Sequence, residues 1–254
     1  MITNNRLNNQ LPKEVKAIFD ELEILKYLRK VGINKGFGYS CAYLFQLVFS
    51  LVFEGKNLFR LLQSKKAKDL PEKNAIYRFL NNPQYNWRRF LLVLSTFTIM
   101  KVSSLTRHDR PKVLIVDDSS YERNRSKKVE LLARCFDHSS QKMRYYKGFR
   151  MLTLGWSDGA TFLPIDFALL SSTNSQINGI DNRIDKRTSG YKRRVEALQK
   201  APEVIPNMIK RALSQGIDAS YVLMDTWFTQ QPLIKSIVDQ GLDVIGMVKD
   251  TKQR

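Results

Sequence analysis

The sequence has few of the residues that build disulfide frameworks and transition-metal sites. Its 254 residues include two cysteines, Cys41 and Cys135, and two histidines, His108 and His138. Two cysteines cannot form a disulfide framework or a cysteine-rich zinc site, and two histidines exclude a multi-histidine metal centre. We therefore expect both cysteines to be buried apolar thiols.

Long apolar runs are also scarce. The longest, residues 39–53, contains Gln46 and Ser50, and it is shorter than the ~20 apolar residues that a membrane-spanning helix needs. The first eleven residues are polar and rich in asparagine, which is unlike a secretory signal. The sequence thus predicts a soluble, cytoplasmic protein with no membrane partner.

Positive charge, by contrast, is in excess. The chain has 42 Lys and Arg against 24 Asp and Glu, a net charge of +18, which indicates a polyanionic partner, most commonly nucleic acid. Residues 1–110 hold 19 basic and 8 acidic side chains (+11), and residues 111–254 hold 23 and 16 (+7). The first part carries more positive charge per residue and is the better candidate for contact with phosphates.

The first hundred residues show the apolar spacing of a helical bundle. One helix is predicted over residues 13–30, and a very apolar one over 40–63 with an interruption near Gly55. Two further helices are predicted over 72–82 and 87–105.

Basic side chains flank the predicted helix at 72–82. They are Lys65, Lys66, Lys68, Lys73, Arg78, Arg88 and Arg89. A solvated helix face and a DNA-contacting helical unit both account for this pattern, and no helix-turn-helix signature separates the two. All of them except Lys68 are candidate DNA contacts.

After residue 110 the pattern changes to that of a mixed α/β sheet. The predicted strands lie at 112–116, 129–136, 149–156, 161–170, 221–224 and 244–248, and the predicted helices at 202–215 and 232–240. The early strands are expected to pair antiparallel, with a hairpin closed at 157–160, and the later ones to pair parallel through helical crossovers. We predict a helical DNA-binding domain over 1–108 and an α/β domain over 109–254.

A long connection precedes the helix at 202–215. Residues 171–194 are rich in Ser, Asn and Gly and carry Arg183, Lys186, Arg187, Lys192, Arg193 and Arg194. A mobile surface loop and a basic loop beside a nucleic-acid channel are compatible interpretations of this segment.

Two aspartates each follow a buried strand: Asp117 after Val-Leu-Ile-Val, and Asp225 after Val-Leu-Met. Ligands bind at strand ends in α/β sheets, and a carboxylate beside an apolar core requires a cation or hydrogen-bond donors. Two converging carboxylates without His or Cys favour Mg²⁺, which accepts one or two carboxylates, waters and substrate phosphates. The spacing alone also fits aspartates that simply cap the following loops.

Seven short motifs stand out along the chain. They are NNPQYNW at 81–87, IVDDSS at 115–120, FDHS at 136–139, KG at 147–148, LTLGW at 152–156, FLPIDF at 162–167 and VLMDTWF at 222–228. Together they resemble bacterial insertion-sequence transposases of the cut-and-paste DDE type. The resemblance covers most of the chain from about residue 70. Its most specific parts are the aspartates of the first strand and the segment that begins at Asp225.

The resemblance implies an RNase H-like core that cleaves and joins transposon-end phosphodiesters by metal-assisted in-line transfer. It implies Mg²⁺ as the cofactor, with Mn²⁺ as a substitute. The implied partner is double-stranded DNA, both at the transposon ends and at the target site. The implied working form is a homodimer on DNA in a bacterial cytoplasm. Asp117 and Asp225 correspond to the first two carboxylates of the catalytic triad. Asp118 is the alternative to Asp117 as metal ligand, because adjacent strand residues face opposite sides and only one can face the metal. The family pattern favours Asp117.

The family's third carboxylate is a glutamate on a later helix, and this sequence has no glutamate after Asp225. Asp239, on the last predicted helix, is interpreted as a solvated position. The resemblance therefore implies a core that is incomplete at the C-terminus. The alternative function is a catalytically inactive, DNA-binding remnant.

Overall fold

The computed structural model describes residues 13–53, 55, 57–64, 70–107, 109–137 and 144–248. The chain forms two compact units, Met1–Phe90 and Leu91–Arg254. In the described part, no helix combines the length and the apolar character needed to cross a membrane.

Helices make up the described part of the first unit. They are α1 (Lys13–Glu21), α2 (Ile24–Lys30), α3 (Cys41–Phe53), α4 (Leu58–Leu62), α5 (Lys73–Leu80) and the start of α6 (Trp87–Leu105). The prediction of one helix over 13–30 is wrong, because the chain breaks at Glu23, which adopts a left-handed conformation with φ of 48°. The break gives α2 its own buried face, formed by Ile24, Tyr27 and Leu28.

Aromatic rings form much of the interior of this unit. The Phe79 and Trp87 ring centroids lie 5.3 Å apart in an edge-to-face contact, and those of Phe45 and Phe90 lie 5.4 Å apart, a geometry that adds to the burial free energy. Tyr85 donates its hydroxyl hydrogen bond to the Asn34 carbonyl at 3.0 Å. Burial raises the pKa of Tyr85 to about 12, so the phenol stays protonated at neutral pH.

The second unit contains a six-stranded mixed sheet. Its strands are β1 (Val113–Glu122), β2 (Ala133–Asp137), β3 (Arg144–Ser157), β4 (Phe162–Leu170), β5 (Tyr221–Met224) and β6 (Asp243–Gly246), and its further helices are α7 (Ser189–Glu196), α8 (Ala201–Ser214) and α9 (Gln231–Val238). The order is β2-β3-β1-β5-β6, and β4 also pairs with β3. Pairing is antiparallel among β1, β2, β3 and β4 and parallel for β1–β5 and β5–β6. The predicted fold class, an α/β mixed sheet after N-terminal helices, is confirmed.

Several segments of this unit differ from the prediction: β2 begins at Ala133 and β3 at Arg144 instead of at residues 129 and 149. β1 continues to Glu122 instead of ending at Val116, because β3 pairs with it along its whole length, whereas β5 pairs with it only as far as Val116. Residues 171–194 are not loop throughout, since α7 begins at Ser189. The Thr188 hydroxyl accepts a hydrogen bond from the Tyr191 amide and caps that helix.

The main core lies between the sheet and helices α8 and α9. Leu114 and Val116 of β1 and Val222 of β5 are buried with the apolar faces of those helices. Trp156 is fully buried, and its indole N–H donates to the Asp218 carbonyl at 3.0 Å. Cys41 in the first unit and Cys135 in the second are buried free thiols, as predicted.

Gly148 of β3 lies close to the backbone of β1. A Cβ added there would lie 2.2 Å from the Tyr121 carbonyl oxygen, which is backbone and cannot move away alone. We expect Gly148→Ala to lower the free energy of unfolding by about 1–3 kcal/mol through overpacking, measured by denaturant titration. The matched control is Gly179→Ala, where an added Cβ meets no atom within 4 Å. Equal stability of the two variants would contradict this prediction.

Candidate active site and nucleic-acid interface

Asp117 and Asp225 lie side by side on two neighbouring parallel strands, Asp117 in the middle of β1 and Asp225 directly after the last residue of β5. The last pair in the β1–β5 register is Val116 with Met224, and each aspartate is the next residue in the chain after that pair. Both side chains are exposed and line one cleft of about 490 Å³. The cleft is lined by Ile115, Val116, Asp117, Leu223, Met224, Asp225, Ile245, Gly246 and Met247. Two acids that are 108 positions apart in sequence thus share one site.

Local hydrogen bonds hold one oxygen of each carboxylate. Asp117 Oδ1 accepts from the Asp118 amide at 2.8 Å, and Asp225 Oδ1 accepts from the amide and the hydroxyl of Thr226, the latter at 2.9 Å. Within the described residues, Oδ2 of neither aspartate accepts a hydrogen bond. One oxygen of each acid therefore remains available as a ligand.

Asp118 is placed differently. Its carboxylate forms an ion pair with Arg150 of β3 and is only 16% exposed. Because successive strand residues alternate between the two faces of a sheet, Asp118 faces the side opposite to Asp117. It does not line the cleft of the other two aspartates.

The two remaining carboxylates suit a hard divalent cation. Mg²⁺ is commonly bound through one or two carboxylates, with waters and substrate phosphates filling its octahedral shell. No group of three or more His, Cys, Asp or Glu side chains with metal-binding geometry occurs among the residues that the structure describes. Asp239 is exposed at the end of α9 and lies outside the lining of the cleft.

The arginines at 181–194 are paired with neighbouring acids. Arg183 forms an ion pair with Asp181 at 2.7 Å, and Arg187 with Asp185 at 2.9 Å. The Arg183 guanidinium is the main cause of the lowered pKa of Asp181, which is about 2. Both arginines are 90% exposed, and such ion pairs contribute only about 0–1 kcal/mol, so a phosphate can replace the aspartate.

The other basic residues of this segment differ in their exposure to solvent and in their ion pairing. Arg194 pairs with Glu130 at 2.7 Å and is 29% exposed, and Arg193 is half-buried. Lys186 and Lys192 are exposed and form no ion pair within the described part of the chain. These two lysines are therefore exposed cations with no acid to compete with a phosphate in the described part of the chain.

The candidate DNA contacts in the first unit also differ in how far they are exposed. Lys73, Arg78 and Arg89 are exposed, but Arg88 is 8% exposed. A guanidinium that is buried among helices cannot reach a phosphate without opening the unit, so Arg88 is left out of the proposed interface. Lys65 and Lys66 lie outside the described residues.

Sequence reasoning missed a basic surface at the far end of β1. Exposed cations follow this strand and occur on the neighbouring ends of β2 and β3. They are Arg123, Arg125, Lys127, Lys128, Arg134 and Arg144. The Arg123 guanidinium stacks on the Tyr121 ring at 4.3 Å. Four basic residues within positions 123–128 were the sequence signal for this surface.

The fold and the cleft together define a mixed α/β domain with two carboxylates side by side on neighbouring parallel strands. Residues 53–253 match the family described as DDE superfamily endonuclease. The chain belongs to this family.

Two of the solved structures to which the chain is similar are transposase complexes. The Drosophila P element transposase strand transfer complex is 12% identical, with a TM-score of 0.40, over 95% of this chain and 48% of that one. The piggyBac transposase synaptic complex with hairpin DNA is 16% identical, with a TM-score of 0.34, over 94% of this chain and 42% of that one. This chain thus spans about half the length of either transposase. No curated protein sequence matches it.

Proposed function

We propose that the chain is the DNA-processing part of a cut-and-paste transposase of the insertion-sequence type. The observation that carries the proposal is the placement of Asp117 and Asp225 in one cleft, each directly after the last paired residues of β1 and β5. Membership of the DDE superfamily endonuclease family and the charge of +18 support DNA as the substrate.

In this proposal both aspartates are metal ligands. Oδ2 of each would hold Mg²⁺, or Mn²⁺ in its place, while the hydrogen bonds to Oδ1 fix the orientation of both carboxylates. The bound cation would lower the pKa of a water and stabilise charge on phosphate oxygens. The reaction is hydrolysis of a phosphodiester at a transposon end, followed by attack of the freed 3′-hydroxyl on target DNA.

The basic surfaces would bind the DNA backbone. Exposed Lys186 and Lys192 and the exchangeable Arg183 and Arg187 are proposed to contact phosphates of the duplex, which position DNA without reading its sequence. Residues 1–108 are proposed as the DNA-binding domain and residues 109–254 as the catalytic core. Because transposition joins paired ends, the working form is proposed to be a homodimer on DNA.

The choice between the neighbouring acids gives a direct test. We expect Asp117→Asn to abolish Mg²⁺- or Mn²⁺-dependent nicking of a plasmid that carries the DNA flanking this gene, because Asp117 lines the cleft. Asp118→Asn should retain nicking, since its carboxylate pairs with Arg150. Nicking is read as conversion of supercoiled to open-circular plasmid. Full activity of Asp117→Asn would contradict the assignment.

A DNA-binding protein without cleavage is the second candidate function. It is favoured by the absence, within the described residues, of a third acid near Asp117 and Asp225. Salt-sensitive binding with a log–log slope of roughly −0.9 per neutralised phosphate, and no nicking at any Mg²⁺ or Mn²⁺ concentration, would establish it. Binding that does not respond to salt would contradict both candidates.

A further inference from the structure

Helix α5 of the first unit has one face packed and one face open. Ile76 and Phe79 are buried. The Phe79 ring meets Trp87 at 5.3 Å and Tyr85 at 6.0 Å. These contacts fix the orientation of a helix that has only eight residues.

The open face carries polar side chains at helical spacing. Lys73, Asn74, Tyr77, Arg78 and Asn81 are all exposed, and their intervals of one, three or four residues place them on one side of the helix. A surface depression of about 420 Å³ runs along this side, lined by Glu72, Asn74, Tyr77, Arg78 and Asn81.

We propose that α5 lies in the major groove of duplex DNA and reads base pairs through Asn74 and Arg78. The proposal takes its partner, DNA, from the proposed function, but it does not depend on the chemistry at Asp117 and Asp225. It assigns sequence-specific recognition, in addition to backbone binding, to the helical unit.

The two side chains match the hydrogen-bonding edges of bases. Arginine donates two hydrogen bonds to guanine O6 and N7, and asparagine pairs in the same bidentate way with adenine N6 and N7. Arg78 Nε donates to the Asn74 carbonyl at 3.3 Å, which orients the guanidinium along the helix. Among the described residues, the Asn74 side-chain amide has no hydrogen-bond partner.

The dimensions and charge of the helix also suit the groove. Eight residues of α-helix are about 12 Å long, close to the width of roughly 12 Å of the major groove of B-DNA. Residues 1–90 contain 16 basic and 7 acidic side chains, a net charge of +9. Lys73 and Arg89 are exposed cations available to phosphates, and the Glu72 carboxylate can accept from a cytosine amino group.

Selection of duplexes from a random pool tests the proposal without catalysis. The full chain carrying Asp225→Asn is used in buffer with EDTA, so that no DNA is cut. Bound duplexes are sequenced for this protein and for the same protein with Asn74→Ala, Arg78→Ala or Arg29→Ala. Arg29 is exposed on α2 and loses the same charge, so it is the matched control. Circular dichroism checks that each variant is folded.

We expect the parent to select a defined sequence containing guanine and adenine at two fixed positions. Arg78→Ala should lose preference for the guanine and Asn74→Ala for the adenine, each by roughly ten- to hundredfold in discrimination. Arg29→Ala should leave both preferences unchanged. A parent that binds all duplexes equally, or an Arg78→Ala variant with unchanged preferences, would overturn this inference and leave the proposed function intact. Failure to bind any duplex would overturn both.

Discussion

Asp225→Asn is expected to lower metal-dependent DNA cleavage by at least about a thousandfold. A metal ion contributes several kcal/mol of charge stabilisation to phosphodiester cleavage, and each 1.36 kcal/mol corresponds to a tenfold change in rate. The amide keeps the shape of the side chain and the hydrogen bonds at Oδ1, but it removes the negative charge. Single-turnover cleavage of an end-labelled duplex in Mg²⁺ and in Mn²⁺ measures the loss.

The same substitution should not weaken DNA binding. Removing an anion from a cleft that faces phosphates cannot weaken the attraction, so the Kd of Asp225→Asn in EDTA should be equal to or lower than that of the unchanged protein. Asp239→Asn is the matched control, because it removes the same charge at an exposed position of α9 and should keep full cleavage. Wild-type cleavage by Asp225→Asn would place the chemistry elsewhere.

Arg211→Leu is expected to give the largest loss of stability. Asp166 of β4 is 1% exposed, and its carboxylate accepts from Arg211 Nε at 2.8 Å. Removing the guanidinium leaves a buried carboxylate without this cation. We expect about 3 kcal/mol of destabilisation, the lower end of the range for a broken buried pair, because Arg211 itself is 35% exposed. In a unit of this size the loss corresponds to a Tm lowered by roughly 6–12 °C.

Two further variants separate this ion pair from general effects of charge or packing. Lys210→Leu removes one positive charge from the neighbouring, exposed position of α8 and should change stability by less than about 0.5 kcal/mol. Adding Asp166→Asn to Arg211→Leu should restore part of the loss, since the buried charge is then gone. An Arg211→Leu variant as stable as Lys210→Leu would show that the pair is not needed for folding.

The two acids of the candidate site could be predicted because each directly follows a run of buried apolar residues, although β1 continues beyond Asp117. A run of β-branched and aliphatic residues followed by Asp marked both Asp117 and Asp225, and parallel strands bring their carboxyl ends to one edge. The roles of Asp117 and Asp118 in the site could not be separated by spacing alone. Their difference depends on Arg150, which lies on a strand that starts more than twenty residues later.

For the basic residues, too, the sequence alone could not predict which side chains are accessible. Composition predicts that a chain with a net charge of +18 binds a polyanion. Composition does not, however, distinguish an exposed cation from a buried one. Arg88 and Arg89 are adjacent, yet the first is buried and the second is exposed. A difference of one position on a helix is a rotation of about 100°, and only the neighbouring helices decide which direction is inward.

The sequence by itself determined the class of fold, the two acids at strand ends and the excess of positive charge, because each depends on local pattern or on a sum over residues. The tertiary structure alone decided that Asp117 and Asp225 share a cleft, that Asp118 is neutralised by Arg150 and that the polar face of α5 is open. The first two of these features depend on contacts between residues distant in the chain. They arise because burial of apolar surface sets strand register and helix orientation together.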